Sequence, residues 1–408
     1  MLLPKVLLPR VLLPKVPLHK ARMTDASSPE SLSLAGVLTS EQIAQTASAI
    51  AAVQERSGAI PWFAGGHTDV WDHVECAMAL TAAGRENEAG RAYRWMLDTQ
   101  RPDGSWPIRI DDGTVTDHGS DSNFCAYFTT GIWHRWLVTA DRGAMTEAWP
   151  AVKASLDFVV ALQRPGGEIA WARGAAGVPV STALLAGSSS IHLSLRCGLA
   201  LAELVGEPQP AWELAAGLLG HALRLHPELF ERKDRFSMDW YYPVLAGPLT
   251  GGRAIARLDQ RWDDFVMPGL GSRCVDDRPW VTGAETCELA IALDVVGDRE
   301  RAVAMVSSMQ HLREDDGAYW TGYVYADDAH WPVEQSSWTA AAVILAVDAL
   351  SDTTGGAGLF RGKGLPHVKE IVGDDCGCRD AQSSDDRIAS RSADRIAALA
   401  AHPLQHTQ

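Results

Sequence analysis

Positive charge is scarce in this 408-residue chain, where 36 Lys and Arg face 51 Asp and Glu for a formal net charge of −15. Phosphate-backbone recognition depends on clustered Lys and Arg that displace counterions, so no nucleic acid is expected among the partners. Long apolar runs are also missing. No stretch approaches the roughly 20 apolar residues of a bilayer-spanning helix, so no transmembrane segment is expected and the expected setting is cytoplasmic. Cysteine is too sparse for a secreted disulfide framework: Cys76, Cys125, Cys197 and Cys287 lie inside apolar runs, where a thiol packs as a small hydrophobe. Cys376 and Cys378 stand in the tail without further spaced ligands, too few donors for a metal site. Alternating strand patterns are rare as well.

What remains is the composition of a packed globular protein, with 46% apolar and 21% charged residues and an unusual 15 tryptophans. The first residues are an exception. LLPKVLLPRVLLPKV, from Leu2 to Val16, repeats every five residues with a proline in each unit, which no uninterrupted helix tolerates. Residues 1–39 are expected to be a disordered extension, with Met23 as a candidate true start. Lys5, Arg10, Lys15, Lys20 and Arg22 can supply at most a weak contact with a membrane surface. Residues 351–408, rich in Gly, Asp and Ser, are expected to be a disordered tail with one short helix near 387–401. Between these limits, apolar periodicity predicts helices over 40–54, 70–83, 86–100, 123–138, 145–163 and 189–204. Five more follow over 211–225, 240–249, 283–296, 299–310 and 333–350.

The stretch QRPDGSW (100–106) returns as QRPGGEIAW (163–171). In both, a Gln ends a helix, a glycine turn follows and a Trp comes after. Gln54 with Gly58 and Trp62, and Gln310 with Gly317 and Trp320, are looser copies. The glutamines fall at multiples of roughly 50 residues, which leaves room for two degenerate units between Gln163 and Gln310. The expected fold is therefore all-α: an α/α toroid over 40–350, six helical hairpins closed into an (α/α)6 barrel. Closure is preferred to an open solenoid because the second helix of each hairpin has an apolar body and an acidic, aromatic N-terminal end, as suits an inner helix facing a cavity. A Gln at a helix end can bond orphan backbone groups of the neighbouring segment while glycine permits the turn, so these residues read as staples rather than catalysts.

Arg91, Ala92, Trp95, Gln100, Gly104 and Trp106 together resemble the QW repeat of terpenoid cyclases and protein prenyltransferase β-subunits. Lys153, Ala154, Phe158, Gln163, Gly167 and Trp171 form a looser copy. The resemblance spans a single toroid and implies a prenyltransferase-like or terpenoid cyclase-like enzyme, a transferase or lyase acting on an isoprenoid or isoprenoid-linked substrate, small or lipid-linked. Six-hairpin glycan-processing enzymes share the topology. The chain departs from the family pattern at its chemical motifs. It has no Asp-x-Asp-Asp acid string, and the nearest match to an Asp-x-Cys zinc pair is Glu285-Thr-Cys287 with His330 beyond it, so zinc is not expected. No metal ligands are assigned and the cofactor stays open, a divalent ion being compatible with an acidic rim. Arg261, Arg273 and Arg278 sit among Asp263, Asp264, Asp276 and Asp277, which counts against a bare diphosphate.

Chemistry is expected at the starts of the inner helices, which converge on one rim. The catalytic candidates are Asp72, Glu75, Asp239, Glu285 and Glu334, with Asp72 and Glu75 one turn apart on a single face. Substrate contacts are expected from Asp69, Trp71, His73, Asp121, Tyr241, Trp280, Trp331 and Trp338. Helix capping explains each acid singly, and Thr282 with Glu285 fits a capping box, but capping does not explain the accompanying aromatics. Carboxylates beside aromatic faces suit two chemistries. One steers a carbocation over π-faces; the other cleaves a glycosidic bond with paired carboxylates while indoles stack on sugars. A toroid that binds a ligand or partner without catalysis is the third reading.

Overall fold

The computed structural model describes residues 31–369 and 371, so the proline repeat, Met23, the Cys376–Cys378 pair and the expected helix near 387–401 lie outside the described residues. Thirteen α-helices are described. The first six are α1 (Ser40–Val53), α2 (Val70–Ala82), α3 (Glu86–Thr99), α4 (Ser122–Thr139), α5 (Arg142–Val160) and α6 (Leu185–Val205). Then come α7 (Pro210–Leu225), α8 (Ser237–Leu245), α9 (Gly251–Gln260) and α10 (Trp262–Phe265). The last are α11 (Gly283–Val295), α12 (Arg299–Ser308) and α13 (Ser337–Ser351).

Six of them form the inner wall. α2 packs on α4, α4 on α6, α6 on α8, α8 on α11, α11 on α13, and α13 returns to α2, so the ring closes as an α/α toroid. The reason lies in composition. Every residue of TAAAVILAVDAL in α13 and of ETCELAIAL in α11 is buried, so neither run has a face turned to water. Outer helices α3, α5, α7, α9 and α12 each cover the inner helix before them, and α1 covers α13. They are amphipathic, as α9 shows: only Ala254 and Leu258 of its ten residues are buried.

Glutamine staples join neighbouring outer helices. Gln54 Nε2 donates to Gly58 O at 3.1 Å and to Glu88 O of α3 at 2.9 Å. Gln100 Nε2 does the same with Gly104 O (3.0 Å) and Ala151 O of α5 (2.9 Å), and Gln163 Nε2 with Gly167 O and Ala215 O of α7, both at 2.9 Å. The glycine is required twice over. Gly104 has φ +87°, and a Cβ there would stand 2.1 Å from Ala154 O. Gln310 departs from the pattern, its amide bonding back to Val306 O (2.8 Å) while Arg313 reaches Gln45 of α1 (2.7 Å). That turn joins the last hairpin to the first.

The connections on the N-terminal rim of the inner helices are long and carry small sheets that the sequence did not announce. β1 (His67–Thr68), β2 (Arg109–Asp111) and β3 (Thr114–Asp117) form one, and β4 (Ser120–Asp121) pairs with β5 (Ala172–Arg173). β6 (Val266–Met267), β7 (Gly271–Arg273), β8 (Trp280–Thr282), β9 (Gly322–Val324) and β10 (Ala329–His330) form an antiparallel sheet in the order β10-β9-β8-β7-β6. Strands of two to four residues are too short to show a period. The packed unit also runs past 40–350. Leu32, Leu34 and Leu38 are buried ahead of it, and beyond it Ala357 and Leu359 are buried where Asp348 holds Thr354 N (2.9 Å) and Thr354 Oγ1 (2.6 Å).

Candidate active site

The first turns of α2 and α11 bring carboxylates together inside the ring. Asp69 caps α2, its Oδ1 accepting Asp72 N at 3.0 Å, and one helical turn then places Asp72 and Glu75 on the same inward face. α11 repeats the spacing with Glu285 and Glu288. All five are buried. Glu75 Oε2 accepts two indole N–H groups, from Trp71 at 3.2 Å and from Trp338 at 3.3 Å. Glu288 accepts two phenols, Tyr242 at 2.8 Å and Tyr241 on its other oxygen. Trp71 ties the cluster to an aromatic wall, its ring centroid 5.6 Å from Tyr127, 5.6 Å from Tyr242 and 6.0 Å from Phe124.

So many acids in so little water cannot all ionise. Burial, then the charges of Asp69, Glu75 and Glu288, hold Asp72 well above the ordinary carboxylate range. Burial raises Glu75 to about 8 despite its two indole donors. Glu285 is raised by burial and Glu288 well above its ordinary value by burial and Glu75. For Glu75 the stability consequence has a definite sign. A folded-state value of about 8 against an ordinary 4.5 means that ionising Glu75 opposes folding, so its favourable share is lost as pH rises through 8. Glu75→Gln is expected to match the parent in melting temperature at pH 5 and to exceed it by on the order of a few degrees at pH 9. A variant less stable than the parent at pH 9 would show that the ionised form is favoured inside the ring.

What each carboxylate is doing separates them. Glu75 and Glu288 hold aromatic N–H and O–H groups, and Glu334 accepts Trp62 Nε1 at 2.6 Å. Asp121 caps α4 through Asn123 N (2.7 Å) and Phe124 N (3.1 Å), and Asp239 accepts Ala186 N of α6 at 3.3 Å. Glu285 is different. The expected capping box does not form, since Thr282 makes no cap bond to α11; the Glu285 carboxyl lies beside the Thr282 and Cys274 side chains, and its Oε2 is buried without a hydrogen-bond partner. Asp72 is bonded through its carboxyl to Asp69 and holds no aromatic group, and it is 8% exposed.

Beside the acid cluster, between α4, α6 and α8, a cavity of about 660 Å³ is lined by Trp71, Asp121, Asn123, Trp171, Phe236 and Asp239 among others. A more open hollow of about 1110 Å³ adjoins it, sharing Lys233 and Asp239. Burial raises Asp121 to about 7 and Asp239 to about 6.

The chain is 60% identical over 344 residues to the MMP endo-(1,4)-3-O-methyl-α-D-mannosidase of Mycolicibacterium hassiacum, across 84% of this chain and 95% of that enzyme. The chain belongs to that mannosidase's family. No protein-family model matches it. Two solved structures share the architecture. A glycosidase in complex with glucose superposes with a TM-score of 0.62 at 14% identity, over 77% of this chain and 97% of that one. A GH63 mannosylglycerate hydrolase from Thermus thermophilus superposes with a TM-score of 0.58 at 15% identity, over 74% and 99%. At such identities the likeness is one of fold.

Membership of the mannosidase family overturns the terpenoid cyclase and prenyltransferase resemblance, and with it the transferase, lyase, isoprenoid and lipid-linked readings. The physical reason is visible in the staples. Gln54, Gln100 and Gln163 satisfy carbonyls of neighbouring outer helices, a need that any ring of helical hairpins has, so the repeat reports topology and not chemistry. The six-hairpin glycan-processing alternative is the one that agrees with the family.

In this mannosidase-family chain the expected site residues fall into distinct places. Asp69, Trp71, Asp72, Glu75, Tyr241, Glu285 and Trp338 belong to the acid cluster and its wall. Asp121 and Asp239 line the neighbouring cavity. Glu334 meets the cluster only through Trp62, whose ring lies 5.5 Å from that of Trp338. Trp280 and Trp331 pair with each other on the rim, Trp280 Nε1 donating to Trp331 O at 2.8 Å. His73, expected to touch substrate, is instead a buried neutral staple. Ile60 N donates to its Nδ1 at 3.0 Å and its Nε2 lies 3.0 Å from Ala92 O, while burial lowers it to about 4. His330 stacks on Trp320 at 4.6 Å, Cys287 is fully buried, and among the described residues no group of three or more His, Cys, Asp or Glu is placed to hold a metal. No described helix is long and apolar enough to cross a membrane. Glu288 and Asn123 were not among the expected residues. Only Glu288 carried a signal, the three-residue spacing from Glu285 that copies Asp72 and Glu75.

Proposed function

We propose that this chain is an endo-acting glycoside hydrolase that cuts α-(1,4) linkages between 3-O-methyl-D-mannose units, with Asp72 as proton donor and Glu285 as the second carboxylate. The observation that carries the assignment is the partnering of the acids. Glu75, Glu288, Glu334, Asp121 and Asp239 hold protein donors from other residues, whereas Glu285, whose carboxyl lies beside Thr282 and Cys274, keeps one oxygen, Oε2, buried with none. The 60% identity to a mannosidase of that specificity supports the linkage and the sugar. Glycoside hydrolysis needs one carboxyl that keeps its proton and one that has lost it, on the two sides of the scissile bond. Asp72, crowded by three other acids, keeps its proton and passes it to the departing glycosidic oxygen. Glu285, on another helix of the ring, is raised by burial and is therefore a strong base once ionised. Trp71 and Trp338 bond Glu75, one turn along α2 from Asp72, and offer the flat apolar faces on which sugar rings stack.

Size analysis of the products from a 3-O-methylated α-(1,4)-mannan is the direct test. Oligosaccharides of intermediate length in the first few per cent of reaction are expected. Release of monosaccharide alone would sink the endo reading, and equal rates on the unmethylated chain would sink the methyl specificity.

A further inference from the structure

The cavity beside Trp71 plays no part in the carboxylate chemistry, yet it contains polar groups that the protein leaves unpaired. Asn123, in the first turn of α4, is 3% exposed, and neither its Oδ1 nor its Nδ2 has a hydrogen-bond partner. Ser188, in the first turn of α6, is 2% exposed and its hydroxyl is unpaired as well. Both line the 660 Å³ cavity. Buried polar side chains are almost always satisfied, so two unpaired ones facing one hollow indicate a ligand that completes them. Apart from Asp121, Ser122, Lys233 and Asp239 the rest of the lining is apolar, with Trp171, Phe236 and Met238 prominent.

We propose that this cavity is a sugar subsite that selects methylated mannose, with Asn123 and Ser188 bonding a free ring hydroxyl while Trp171 and Phe236 seat the methyl ether. The proposal rests on the hydrolase reading above and adds to it the place where the methyl group is read. A partly methylated sugar is polar on some edges and apolar on another, and the lining is divided in the same way. Placement agrees. Trp71 lines the cavity with its ring and donates its indole N–H to Glu75, one turn along α2 from Asp72, so a chain lying in the cavity leads onto the catalytic carboxylates. Charge agrees too. Asp121, raised to about 7 by burial, carries reduced negative charge near neutral pH, and Lys233 stands beside Asp239 to balance it, an environment for a neutral ligand.

The test separates binding from turnover. Full-length Asp72→Asn protein is titrated by calorimetry with a 3-O-methylated α-(1,4)-mannotetraoside and with its unmethylated counterpart. The methylated probe is expected to bind at least about tenfold more tightly. Adding Asn123→Leu, or separately Ser188→Ala, is expected to weaken both probes, by about tenfold or more for the former. Adding Trp171→Ala is expected to erase the preference between them. Equal affinity of the parent for the two probes, or no binding of either, overturns the proposal. So do affinities that stay within about twofold in all three added variants. If the probes behave as expected but the wild-type protein cleaves neither, the subsite stands and the hydrolase reading falls.

Discussion

Asp72→Asn and Glu285→Gln are each expected to lower kcat on the methylated mannan by about 1,000-fold or more, with the melting temperature unchanged or raised. The amide introduced in either variant keeps the shape of the acid and cannot exchange a proton, so only the chemistry is removed. Stability is not expected to suffer, because each replaced acid sits in a buried cluster that opposes its ionisation. The two variants should differ in their pH profiles. On the proposed assignment turnover requires Asp72 protonated and Glu285 ionised, so the rate is expected to rise with pH as Glu285 loses its proton and to fall as Asp72 does. Both groups are raised, so the whole bell lies above the ordinary carboxylate range. Residual activity of Asp72→Asn should lack the alkaline limb, and that of Glu285→Gln the acidic one. A variant that keeps more than about a tenth of the parent kcat removes its residue from the catalytic pair. Full activity in both would leave the ring as a ligand-binding scaffold with its chemistry elsewhere.

Gly317→Val is expected to damage the fold severely. Gly317 has φ +91°, and a Cβ there would stand 2.5 Å from the carbonyl carbon of Gln45 and 2.6 Å from Thr46 N, both backbone atoms of α1. Neither can yield without moving the helix. A β-branched residue at positive φ costs about 1–3 kcal/mol before any clash, and the clash separates the last hairpin from the first. A total above about 3 kcal/mol corresponds to a fall in melting temperature of about 4 °C or more in a domain of this size. Gly252→Ala, near the start of α9 with open space around its Cβ, is the control and should change the melting temperature by about one degree or less. If the two variants melt together, closure of the ring does not depend on the Gly317 turn.

Much of the architecture was legible because it is written locally. The α13 run TAAAVILAVDAL can only be an inner helix, and the Gln100 and Gly104 pair announces a stapled turn before any partner is known. Legibility failed where local signals are weak. α9 begins with two glycines and its buried stripe is only Ala254 and Leu258, too narrow for GGRAIARLDQ to stand out as a helix. The rim strands are too short for a period, and Leu34 and Leu38, buried against the core, sit in a Ser-rich lead that looks unstructured. The chemical class was misjudged for a related reason. The Gln, Gly and Trp staples are the loudest pattern in the chain, and they serve closure in any toroid.

The set of acids could be read from the sequence, since Asp and Glu at inner-helix starts converge on one rim of a closed ring. Which of them remains available for catalysis could not. That depends on donors arriving from far along the chain: Trp338 reaches Glu75 across 263 positions, Trp62 reaches Glu334 across 272, and Tyr242 reaches Glu288 across 46. Helix period, caps and turn glycines act over a few residues, so the amino-acid order alone determined a six-hairpin all-α ring with an acidic, aromatic mouth. The partnering of each carboxylate, the unpaired amide of Asn123 and the neutral burial of His73 are set by where separate hairpins meet. Only the closed ring decides those meetings, because hydrogen bonds and desolvation depend on distance in space and not on separation along the chain.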